Sequence, residues 1–195
     1  PAPEDRHGSI RLSGPERRAY VIMMAIMVLA GLSVTIVSVH LLTMLQGRGL
    51  SLAEAVTLGA LIGPAQVAAR LIEMASGGRH HPIWTLAAAA GLSAVGLVML
   101  ALGLPLVGAA IFLYAAGNGI FSIARGALPL ALFGPDRYAP VMGRLARPSL
   151  IAQALAPSLG AMLLSAAGTD WTLNTLALLA LANIALVVFL WRGLN

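Results

Sequence analysis

The sequence predicts an all-α integral membrane protein whose six transmembrane helices form a 3+3 inverted repeat. Three observations predict it. Only 10% of the 195 residues are charged while 59% are hydrophobic, and the mean hydropathy is +0.89; an ordinary soluble domain carries about 25% charged residues. Six apolar segments can be marked, each about 20 residues or longer, the length that a hydrocarbon core of roughly 30 Å requires. Segments one to three and four to six cover nearly equal lengths, and an odd number of spans per unit inverts the second unit relative to the first.

Residues 1–19, "PAPEDRHGSIRLSGPERRA", are polar and rich in proline and charge, and read as a flexible cytoplasmic lead-in or inter-half linker. Residues 20–195 form the six-helix domain, with spans near 20–45, 53–75, 83–103, 106–127, 139–166 and 171–191. The breaks carry turn chemistry: Gln46-Gly47-Arg48-Gly49, Gly77-Gly78, Gly103-Leu104-Pro105, Gly134-Pro135-Asp136 and Gly168-Thr169-Asp170. All twelve basic residues are arginine. Arg6, Arg11, Arg17, Arg18, Arg79, Arg137 and Arg192 fall on one side of the predicted membrane and Arg48 alone on the other, so both termini are expected in the cytoplasm.

Several function classes drop out. With no cysteine, disulfides, thiolate metal sites and a thiol nucleophile are excluded. A net charge of +5 does not point to nucleic acid, because the arginines follow membrane topology and form no soluble basic face. No paired carboxylates, serine–histidine arrangement or phosphate-binding glycine loop appears. His80-His81 are adjacent ligands without partners, a poor metal site. The expectation is a protein that is not an enzyme and holds no cofactor and no metal.

The remaining signal is a set of polar stripes. Gly59, Gly63, Gln66, Arg70 and Glu73 recur at i, i+4, i+7, i+11 and i+14, one face of a helix. Tyr114, Asn118, Ser122 and Arg125 share a face of span four. Gln66, Asn118 and Gln153 lie near the middle of spans two, four and five, three amides at one depth. Ser33, His40 and Thr43 share a stripe on span one, whereas spans three and six offer little, so spans one, two, four and five are expected to look inward and three and six outward to lipid. Bland readings stand beside the functional one. Arg70 and Arg125 are close enough to the cytoplasmic end to snorkel, Arg70 and Glu73 are i, i+3 neighbours that could neutralise each other, the amides could be interhelical glue, and Gly59–Gly63 could serve close packing alone. Pro148 either kinks span five or marks its first turn.

Inverted repeats with polar groups at mid-depth are the plan of secondary transporters. The segments "GLSLAEAVTLGALIGPAQVAARLIE", "AAGNGIFSIARGALPLALFG" and "GRLARPSLIAQALAPSLGAMLL" resemble the C-terminal six-helix half of prokaryotic major facilitator superfamily (MFS) transporters, over nearly the whole chain. Glu73, Gly77, Gly78, Arg79 and His80 resemble the weaker second copy of that superfamily's cytoplasmic-loop motif, with longer spacing and without its Asp-Arg pair. The resemblance implies a half-unit that moves a small solute by alternating access, in a bacterial inner membrane, with helices one, two, four and five of the half lining or gating the path. Gln66, Asn118, Gln153, Tyr114, Arg70 and Arg125 are the candidate substrate-binding residues, and Glu73 and His40 the candidate proton-coupling ones. The inward charges, Arg70, Arg125 and Arg147 against Glu73, favour an anionic solute. Expected partners are the lipid bilayer, the small-molecule substrate and a second six-helix half, either another copy in a homodimer or the N-terminal half of the same transporter. The alternative is a non-transporting membrane fragment, or a regulatory or assembly subunit that docks a partner half.

Overall fold

The computed structural model describes residues 12–75 and 79–194. Among them every regular element is helical. Helix α1 (Gly14–Gly47) starts upstream of the apolar stretch it carries, with Pro15 in its first turn. The Glu16 carboxylate accepts from the Ser13 N–H at 2.9 Å and from Ser13 Oγ at 3.0 Å, which satisfies a donor that the helix start would leave free. The stretch expected as a flexible lead-in thus ends in helix, and residues 1–11 lie outside the described residues. Gly49, at φ 90, turns the chain after α1.

The second apolar segment is two helices, α2 (Leu52–Gly59) and α3 (Ile62–Ala75). Pro64 explains the interruption: it brings no N–H to the carbonyl of Ala60, and its ring crowds that oxygen. The stripe predicted as continuous therefore crosses a break between Gly59 and Gly63. Gly77-Gly78, expected as the next turn, lie outside the described residues. Helix α4 (Pro82–Ala101) is capped by His81, whose Nδ1 accepts from the Ile83 N–H at 3.2 Å. Helix α5 (Val107–Phe133) stops at Gly134, which has φ 75. Helix α6 (Pro135–Arg192) runs for 58 residues but is broken at Gly168, where φ is 81 and ψ −179. Its limbs, 135–167 and 169–192, each exceed the ~20 residues needed to cross a bilayer core. Pro148 sits inside the first limb, so the helix begins well ahead of it. Counting 52–75 as one, five helices are long and apolar enough to cross a membrane, where six separate ones were expected, because the last two predicted spans are joined across Gly168.

Two buried clusters run along the bundle. One gathers Met23, Ile26, Leu86, Leu128, Leu145 and Leu190; the other gathers Ile36, Met44, Leu97, Ile111 and Leu176. Near the second, Arg48 closes an end of the bundle. Its Nη2 donates to the Ala101 carbonyl at 3.0 Å, and its Nε lies 2.7 Å from Asp170 Oδ1 as a charge contact without an aligned hydrogen bond. That joins the ends of α1 and α4 to the break in α6. Helix α4, expected to look outward, packs against both α5 and α6, because its run of alanines and glycines lets backbones approach. The segment 52–75 is the least buried of the five, with Val67, Leu71, Ile72 and Met74 exposed. The inward–outward order expected from polarity alone thus fails for α4.

At the other end Arg137 Nη2 meets Glu16 Oε1 at 2.7 Å and its Nε donates to the Phe133 carbonyl at 3.1 Å. Both residues lie outside the predicted spans. The Arg137 guanidinium, with help from Ser13, holds the Glu16 carboxyl down at about 2, from an ordinary 4.5. A depressed folded value means that this contribution is fully present above 4.5 and is lost as pH falls through about 2. The melting temperature of the native protein relative to Glu16→Gln is therefore expected to be flat above pH 5 and to converge as pH falls from 4.5 towards 2. A difference that held constant down to pH 2 would remove the linkage.

Candidate functional site

Helices α1, α3 and α5 and the first limb of α6 enclose a cavity of about 190 Å³ lined by Arg70, Asn118, Ser122, Arg125, Ser149 and Gln153, with Met27, Val34 and Phe121 as its apolar wall. Each polar group has a local reason for its place. Gly119 presses against α3, since a Cβ there would lie 2.6 Å from the Gln66 carbonyl oxygen and 2.8 Å from its Cα. That close crossing lets Arg70 Nε donate to the Gly119 carbonyl at 3.3 Å while its Nη2 reaches Gln66 Oε1 at 3.4 Å. Two of the five guanidinium N–H groups are thereby used, and the rest of the fork is left for the cavity. Ser122 Oγ also donates to the Gly119 carbonyl, at 2.6 Å.

On the facing side, Ser149 Oγ donates to the Met27 carbonyl at 3.0 Å. Gln153 Nε2 donates back to Ser149, to its carbonyl at 3.2 Å and its Oγ at 3.1 Å. Gly31 makes this possible: a Cβ there would stand 2.8 Å from Ser149 Oγ and 3.0 Å from Gln153 Nε2. Arg125 is exposed and has no hydrogen-bond or ion-pair partner among the described residues. No carboxylate lines the cavity among the described residues. Two guanidiniums thus face amides and hydroxyls with no carboxylate among the described lining residues, a donor set whose chemistry suits an anion.

Of the eight candidates, the structure brings Arg70, Asn118, Arg125 and Gln153 to this one cavity. Gln66 stands behind it as the support of Arg70. Tyr114 lines a smaller cavity that shares Asn118, Phe121, Ala30 and Val34 with the first. Glu73 and His40 line neither. Glu73 Oε1 accepts from Thr85 Oγ1 at 2.6 Å, across to α4. His40 Nε2 lies 2.9 Å from the Pro157 carbonyl oxygen, which only accepts, so this nitrogen carries the proton. Gly160 gives the ring room, a Cβ there falling 2.8 Å from Nε2. His40 is a tie between α1 and α6. Of its stripe, Ser33 is buried and lines the smaller cavity, while Thr43 is exposed. Gly63 faces open space and Gly59 only touches leucines of α1, so the pair does not form a tight crossing.

Sequence reasoning missed Ser122 and Ser149 as cavity groups, although Ser122 was on the marked face and Ser149 is one turn before Gln153. It also missed Asn183, which lines the smaller cavity from the second limb of α6; its mid-span amide was the available signal. Comparison with models of known protein families, with curated proteins and with solved structures gives no match.

Proposed function

We propose that the chain is a six-helix half of a secondary transporter of the MFS kind, moving a small organic anion by alternating access. The observation that carries this reading is the cavity of about 190 Å³, in which two arginines and a set of neutral hydrogen-bonding groups converge from three helices against an apolar wall from α1. Such a constellation offers an anion bidentate donors. The break at Gly168 supports six spans rather than five. In this reading the arginine bias favours both termini in the cytoplasm, and the MFS resemblance a bacterial inner membrane.

The weak burial of 52–75 supports a partner half. An arginine-bearing face left to lipid costs on the order of 3 kcal/mol per charge, and covering the cavity with a second six-helix half, a copy of this chain or an N-terminal half, removes that cost. In this reading Glu73 is the better placed of the two proton-coupling candidates, because it lies one turn from the cavity residue Arg70, whereas His40 ties α1 to α6 through Pro157.

The test is reconstitution into liposomes with impermeant organic anions (gluconate, citrate, glutamate), alongside native mass spectrometry of the same preparation. Saturable uptake of at least one anion by a dimer is the expected result. A dimer that moves none of them would leave the docking-subunit reading instead.

A further inference from the structure

Beside the arginine-lined cavity is a smaller one of about 40 Å³, enclosed by α1, α4, α5 and the second limb of α6. Two of its wall groups are anomalous. Tyr114 is 4% exposed and Asn183 9%, yet Tyr114 Oη and Asn183 Oδ1 have no hydrogen-bond partner among the described residues. Leaving one buried polar group unsatisfied costs about 1–3 kcal/mol, so two in one cavity call for an occupant. One is a donor and the other an acceptor. A single hydroxyl satisfies both, accepting from Tyr114 and donating to Asn183. The space holds a hydroxyl with the carbon that bears it, or a water.

The geometry points to a hydroxyl-recognition annex to the anion site, and to a substrate class that spans both: an organic anion with a hydroxyl at its far end. This rests on the anion reading proposed above. The Arg70 guanidinium sits at the carbonyl of Gly119, five residues along α5 from Tyr114, an axial rise of about 7–8 Å at 1.5 Å per residue to which the turn between the two faces adds. The shared walls between are Phe121, Val34 and Ala30, which suit a methylene chain, with Asn118 beside them. An extended ω-hydroxy acid of about six carbons is the shortest that covers this rise. Its carboxylate would meet Arg70 and Arg125 while its hydroxyl reaches Tyr114 and Asn183.

The test is titration calorimetry on the whole chain in nanodiscs with two probes, hexanoate and 6-hydroxyhexanoate. The hydroxy acid is expected to bind about tenfold tighter than hexanoate, and the ratio to collapse to within twofold in Tyr114→Phe. Asn183→Leu is expected to do the same, and carries the test if the tyrosine variant does not fold. Equal binding of the two probes, with affinity for both lost in Arg125→Gln, would overturn the annex and leave the anion site standing, the small cavity then holding water alone. A preference that survived both annex variants would also overturn it. Binding of neither probe at millimolar concentration would overturn the anion reading and the annex with it.

Discussion

Gly96→Ala is expected to destabilise the bundle by about 3 kcal/mol or more, at the upper end of what overpacking costs. A Cβ at this position in α4 would press on the Ala110 carbonyl oxygen, lie 2.5 Å from the Tyr114 backbone nitrogen and 2.8 Å from Tyr114 Cβ. Backbone atoms cannot move to another rotamer, so the helices themselves must separate. Gly117, further along the same seam, is equally confined, its Cβ falling 2.5 Å from the Ala89 carbonyl oxygen. Prying α4 from α5 at one glycine therefore strains the other. Gly91→Ala is the control: it is in the same helix with nothing within 4 Å of the added carbon, and gains the helix preference of alanine, up to about 1 kcal/mol. Thermal melts in one detergent should place Gly91→Ala at or above the native protein and Gly96→Ala far below it. Coincident melts for the two variants would mean that the helices do not cross here.

Arg125→Gln is expected to weaken organic-anion binding about 100-fold and to leave the melting temperature nearly unchanged. The guanidinium lines the cavity and has no partner among the described residues, so the folded chain loses little with it. A bound carboxylate loses a charged hydrogen-bond donor, worth up to about 3 kcal/mol, which is the stated factor. Arg70→Gln should weaken binding comparably but also cost about 1 kcal/mol of stability, because its hydrogen bonds to Gly119 and Gln66 hold α3 against α5. Calorimetric titration beside thermal melts separates the two effects. Native affinity in both variants would sink the anion site.

Much of this could be read from the residues. The turn glycines announced the helix ends, since Gly49, Gly103, Gly134 and Gly168 all adopt the positive φ that their positions require. Helical spacing put Asn118, Ser122 and Arg125 on one face, and they do share a cavity. Other features needed three dimensions. The i, i+4 pair Gly59–Gly63 looked like a packing motif, but tight crossing depends on what the partner helix presents, and Gly96, Gly117 and Gly119 are the ones with backbone against them. Periodicity assigns a face without saying which neighbour it meets; Glu73 shares a stripe with Arg70 yet turns to Thr85. Polarity likewise misjudged α4, because a run of alanine reads as lipid-facing although small size also favours burial between helices.

The exposed position of 52–75 bears on how the chain is made. It is the least apolar of the five candidate spans and carries Gln66, Arg70 and Glu73, while a charge in a lone membrane helix opposes insertion, by about 3 kcal/mol at the centre and less towards the ends. Within this sequence α1 is the helix that precedes the segment. The carbonyl that receives Arg70 belongs to Gly119, which arrives with α5, and Thr85, which meets Glu73, arrives with α4. The hairpin of α4 and α5 thus supplies the polar partners that 52–75 needs before its charges can rest in a bilayer.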